Sequence, residues 1–222
     1  MSITEIVYIL DRSGSMSGLE EDTIGGFNSM LTKQKKTNEK ALVSTILFNN
    51  YATVLHDKVP IDKVKKMTTK QYYVGGSTAL LDALGNTIKR IGYIHKYARK
   101  EDVPSKTIFI ITTDGMENAS RYYSYETIHK MIKRQREKYG WEFIFIGANI
   151  DSEKEAERFG IRKERTVNYM HDNIGTANLY AGVSKAVCKV MEADSAEEMC
   201  AMLNECEWDA EIREDYDRRS KH

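Results

Sequence analysis

Glu5-Ile6-Val7-Tyr8-Ile9-Leu10-Asp11-Arg12-Ser13-Gly14-Ser15 is the stretch from which the fold of this 222-residue chain can be read. Ile6 to Leu10 is an unbroken apolar run, which reads as a strand buried on both faces. It stops at an acid and turns at once into loop chemistry, Arg12-Ser13-Gly14-Ser15. Lys106 to Thr113 repeats the pattern with Ile108, Phe109, Ile110 and Ile111, and it too stops at an acid, in Asp114-Gly115.

Around these two strands the periodicity alternates. Ile24, Phe27 and Leu31 share one helical face after the first loop, and Leu80, Leu81, Leu84, Ile88 and Ile91 form one apolar stripe. Strands are expected at Ala41–Phe48 and Tyr51–His56, joined through Asn49-Asn50 as an antiparallel hairpin. Further strands are expected at Glu142–Ala148 and, weakly, Thr166–Tyr169. A short helix is expected near Ile61–Met67, and others through Ile128, Met131 and Ile132, from Asp151, and over Asn173–Val190. Ser152–Glu155 and Ser195–Glu198 have capping-box spacing. Strands alternating with amphipathic helices imply an α/β fold: a three-layer, Rossmann-like doubly wound sheet, mostly parallel, with Tyr51–His56 as its antiparallel edge strand. Residues 1–192 are expected to form this domain, and 193–222 a C-terminal helix and charged tail. That tail, from Glu207, reads as a frayed or solvated helix end, with disorder as the alternative.

Lys+Arg and Asp+Glu balance at 33 each, so the whole-chain charge gives no argument for a nucleic-acid or membrane partner. No stretch approaches a bilayer-spanning length, and Met1–Leu10 lacks the basic start of a signal peptide. Cys188, Cys200 and Cys206 match no zinc spacing, and their odd number argues against a disulfide framework. A cytoplasmic address is the resulting expectation.

The chemistry concentrates where the strands end. Asp11-x-Ser13-x-Ser15 alternates oxygen-bearing side chains through a turn that Gly14 makes flexible. Carboxylate and hydroxyl oxygens are hard donors that suit Mg²⁺, Mn²⁺ or Ca²⁺ better than copper or zinc. Octahedral coordination needs six oxygens, and Thr78 and Asp114 can supply more. Each loop alone has a plainer reading: an N-cap for Asp11-Arg12-Ser13-Gly14-Ser15 and for Ser77-Thr78, and a turn for Thr113-Asp114-Gly115.

Their joint order changes that. Asp11-Arg12-Ser13-Gly14-Ser15-Met16, Gly76-Ser77-Thr78-Ala79-Leu80-Leu81-Asp82-Ala83-Leu84 and Thr112-Thr113-Asp114-Gly115 together resemble the von Willebrand factor type A (vWA) family and its metal-ion-dependent adhesion site. The resemblance covers about residues 3 to 190 in element order and implies Asp11, Ser13, Ser15, Thr78 and Asp114 as metal ligands, some through water. It also implies an open coordination position, filled by an Asp or Glu of a partner protein. The function expected is a stand-alone module with an adaptor or scaffold role, loaded with Mg²⁺ by availability in the cytoplasm. Asp82 and Asn118 are read as structural, with orienting the metal ligands or capping as the alternative, and Tyr122, Tyr123 and Tyr125 as loop packing or the rim of an interface. Arg12, inside the metal loop, is expected to point outward.

No catalytic set accompanies the site. His56, His95, His129, His171 and His222 have neither metal-ligand nor triad spacing, and no G-x-x-x-x-G-K-[ST] loop occurs. The competing readings are a Mg²⁺-dependent phosphoryl-transfer hydrolase and a vestigial site on a structural or self-associating protein. The first needs a second acid two residues after its aspartate nucleophile, where this chain has Ser13.

Overall fold

In a computed structural model that describes residues 2–37 and 39–220, six strands form one sheet in the order β3-β2-β1-β4-β5-β6. The strands are β1 (Thr4–Asp11), β2 (Ala41–Phe48), β3 (Ala52–Pro60), β4 (Lys106–Thr113), β5 (Glu142–Gly147) and β6 (Thr166–Asn168). All neighbours are parallel except β2 and β3, so the antiparallel edge strand lies where the hairpin pattern puts it. This is a doubly wound order, and its reversal point lies between β1 and β4.

The apolar runs are unbroken because both faces of the central strands are covered. Ile6, Tyr8 and Leu10 enter one core with Ile108 and Ile110; Val7 and Ile9 enter a second with Phe109 and Ile111. The period-2 alternation of a strand thus divides one sequence between two cores. Residues of α1 (Glu20–Lys35) and of the later α5 (Asn173–Glu192), α6 (Ala196–Glu205) and α7 (Ala210–Arg219) line the first core. The second is closed by α2 (Leu80–Tyr97), α3 (Tyr125–Tyr139) and α4 (Ser152–Phe159).

Several boundaries differ from the sequence reading, each for a local reason. The hairpin loop takes in Tyr51 as well as Asn49-Asn50, and β3 runs on to Pro60. That extension is mostly solvent-facing and carries a register shift, so it has no apolar alternation to read. The helix expected near Ile61–Met67 is a single 3₁₀ turn, Ile61–Lys63. Asp151, the expected start of α4, does cap it by accepting the Lys154 N–H, whereas the box spacing read from Ser152 lies one residue too late. Ser195 does cap α6, accepting the Glu198 N–H, while the Glu198 carboxylate reaches back to the Asp194 N–H.

From Ala210 to Arg219 the charged tail is a helix, and Trp208 and Ile212 belong to the same core as α5. Lys221 and His222 lie outside the described residues. No helix among the described residues is long and apolar enough to cross a membrane.

Candidate metal centre

Three loops meet at the sheet reversal. The first leaves β1, the second precedes α2 and the third leaves β4. Backbone bonds tie the first two: Gly14 N–H donates to the Gly76 carbonyl and Gly75 N–H to the Arg12 carbonyl, both at 3.0 Å. Gly76 has φ +81°, a conformation that favours glycine, and a Cβ there would meet Asn50 Oδ1 of the turn between β2 and β3 at 1.9 Å. The second and third loops cap each other. Asn118 Oδ1 accepts the Thr78 N–H, and Glu117 accepts the Leu81 N–H at the start of α2, both at 2.9 Å. Asp82 returns the favour by accepting three N–H groups, from Arg121, Tyr122 and Tyr123. The structural roles expected for Asp82 and Asn118 are the ones seen.

Inside this frame the side chains form a chain of oxygens. Asp11 Oδ1 accepts the Ser13 N–H at 2.7 Å, and Oδ2 accepts the Thr113 hydroxyl at 2.7 Å. Ser13 and Ser15 hydroxyls lie 2.9 Å apart, and Ser15 Oγ donates to Asp114 Oδ1 at 2.5 Å. Thr78 makes no side-chain hydrogen bond in this network, but its hydroxyl converges on it. A Cβ on Gly115 would stand 3.6 Å from Ser15 Oγ and 3.7 Å from Thr78 Oγ1. Asp11, Ser13, Thr78 and Asp114 are all buried; Ser15 is exposed and opens the site to solvent.

The electrostatics of this end are unbalanced. Burial raises the Asp11 carboxyl above its usual range, against the hydrogen bonds from Thr113 and Ser13, and the charge of Asp114 raises it further. Burial also raises Asp114, against a hydrogen bond from Ser15. Asp114 Oδ2 is buried without a hydrogen-bond partner. Two buried carboxylates, one with an orphaned oxygen, and three converging hydroxyls form a donor set that a hard divalent cation would complete. Among the described residues no three His, Cys, Asp or Glu are placed to hold a metal. The set therefore depends on its hydroxyls.

Two residues stand where the sequence did not place them. Arg12 does not point outward; it is 5% exposed. Its guanidinium donates to Thr53 Oγ1 on β3 at 2.9 Å and lies 4.6 Å above the Tyr73 ring. A hydroxyl and a ring face on neighbouring segments keep this cation turned away from the oxygens. His171, just before α5, was not singled out, yet its Nε2 lies 3.1 Å from Asp114 Oδ2. Tyr123 and Tyr125 pack, on Gly85 and Phe159 respectively, whereas Tyr122 is 84% exposed.

No family model and no curated protein matches the chain in sequence. Solved structures do match its fold. A von Willebrand factor type A structure from Catenulispora acidiphila superposes with TM-score 0.60 at 13% identity, over 85% of this chain and 43% of that one. The chain has the von Willebrand factor type A fold. Proximal thread matrix protein 1 of the mussel byssus, solved with a zinc-occupied MIDAS motif, gives TM-score 0.56 at 18% identity, over 84% of this chain and 46% of that one. Manganese-loaded TRAP protein of Plasmodium vivax gives 0.52 at 16% identity, over 78% and 71%. This vWA-fold chain thus matches under half the length of the first two. In the vWA fold of this chain, the three oxygen-bearing loops occupy the ligand edge of the sheet.

Proposed function

We propose that this chain is a vWA-type binding module that holds one divalent cation with Asp11, Ser13, Ser15, Thr78 and Asp114. Through that cation it engages an Asp or Glu of a partner protein. The observation that carries this reading is the pair of buried carboxylates at the β1/β4 switch point, both raised by burial, with Asp114 Oδ2 left without a hydrogen-bond partner. A dication would bring the pair near neutrality and leave room for one more anionic ligand. Mg²⁺ is the ion proposed, on availability in a cytoplasmic setting, and an adaptor role follows from binding without chemistry.

The surface beside the site supports a protein partner. A recess of about 510 Å³ adjoins the Thr78 loop and is lined by Asn50, Ser77, Asn118 and Arg121. Tyr51 and Tyr122 flank it at 78% and 84% exposure, and tyrosine is enriched at interface cores. The hydrolase reading finds less support. Asp11, the would-be nucleophile, has both oxygens engaged by Ser13 and Thr113, and Ser13 occupies the place of the second acid.

Water-proton relaxation of the Mn²⁺-loaded chain tests the proposal. Acetate, standing in for a partner carboxylate, should lower the relaxivity as it replaces bound water. Asp11→Ala combined with Ser13→Ala should remove Mn²⁺ binding while circular dichroism stays native. Unchanged relaxivity with acetate, or full Mn²⁺ binding by the double variant, would overturn it.

A further inference from the structure

The loop between β6 and α5 brings a nitrogen to a site otherwise built of oxygens. His171 Nε2 and Asp114 Oδ2 are 3.1 Å apart. Both atoms are buried, and neither has a hydrogen-bond partner, so they face each other without the alignment of a hydrogen bond. Orphaned buried polar atoms are scarce in native proteins, and two of them side by side call for a common occupant. A separation near 3.1 Å is close to the roughly 3 Å between adjacent donors of an octahedral site with ligands at about 2.1 Å.

His171 is held there by its surroundings. Asp172 caps α5 by accepting the Gly175 N–H at 2.8 Å and is gripped by Arg219 of α7. A Cβ on Gly175 would lie 1.9 Å from the Met170 carbonyl oxygen, so α5 can begin against this loop only with glycine there. The imidazole is thus carried on a segment fixed from both sides, as a preorganised ligand requires.

We infer that His171 is a nitrogen ligand of the proposed cation site, which makes it a mixed nitrogen–oxygen site that gains affinity for later divalent metals such as Zn²⁺ and Co²⁺ where a pure oxygen site would favour Mg²⁺, the ion supplied by availability. This rests on the cation site proposed above. Imidazole adds little for Mg²⁺, whereas divalent affinity at a nitrogen–oxygen site rises from Mn²⁺ through Co²⁺ to Ni²⁺ and Cu²⁺, with Zn²⁺ also well served.

Pulsed EPR of Mn²⁺ bound to the full chain reads the ligand directly. The wild type should show the coupling of a coordinated nitrogen, which shifts on ¹⁵N-histidine labelling and disappears in His171→Gln. In calorimetric titrations, His171→Gln should weaken Zn²⁺ binding at least about tenfold and Mg²⁺ binding less than about threefold. Mn²⁺ bound to the wild type without a coordinated nitrogen would overturn the inference and leave the oxygen site standing. No Mn²⁺ binding by the wild type would overturn both.

Discussion

Near its two ends β1 buries two carboxylates that are treated in opposite ways. At the start of the strand Glu5 is fully buried between two basic side chains of the protein itself, with Lys58 Nζ at 2.7 Å and His95 Nε2 at 2.5 Å. Burial alone would raise its carboxyl, but the His95 and Lys58 contacts outweigh burial and hold it below the usual range. At the end of the strand Asp11 meets Asp114, a second acid, and both are raised by burial. The nearest basic side chain in its own loop, Arg12, is spent on Thr53 and Tyr73. One end of the strand is electrostatically closed and serves the fold. The other is left open, at a cost in stability, as the proposed cation site requires.

The comparison breaks most visibly if Glu5 is stripped of its partners. Lys58→Met with His95→Leu leaves a buried carboxylate unpaired and should cost about 3–5 kcal/mol in denaturant unfolding. Arg12→Ala should cost less, about 1–2 kcal/mol, through the lost stacking on Tyr73 and the bond to Thr53. Because Arg12 faces away from the oxygens, the same variant should leave Mn²⁺ affinity in calorimetry within about threefold of wild type.

At the open end the sign reverses. Asp11→Asn in EDTA should leave stability unchanged or raise it by about 1 kcal/mol, since it removes one of two repelling buried charges. A smaller effect appears with pH. Glu5 has a folded pKa below its unfolded value of 4.5, so its contribution is present above that value. It is lost as pH falls through the depressed folded value. The Glu5→Gln variant should therefore show a flatter decline in stability below pH 4.5 than wild type.

Much of this was legible in the residues because strands buried on both faces have little choice of composition. β2 and β4 have the bounds read from the sequence, and the two acids that close the central strands lie at the ligand edge. What escaped was set by contacts between distant segments. Arg12 reads as a cation beside a metal until β3 and the Tyr73 segment are seen to hold it. His171 carries no spacing signal at all, because the segment bearing it reaches Asp114 only once α5 and α7 have anchored it. The order of the tail follows from Trp208 and Ile212, two apolar residues in a charged stretch, whose value depends on the core they enter.

The claim that one end of β1 awaits a cation is tested most directly by thermal unfolding with and without a divalent ion. Mg²⁺ or Mn²⁺ at a hundred times its dissociation constant should stabilise the wild type by about 2.7 kcal/mol relative to EDTA. The Asp11→Asn and Asp114→Asn variants should show none of this gain, and Lys58→Met should keep all of it. Equal midpoints for the wild type in EDTA and in millimolar Mg²⁺ or Mn²⁺ would contradict the account.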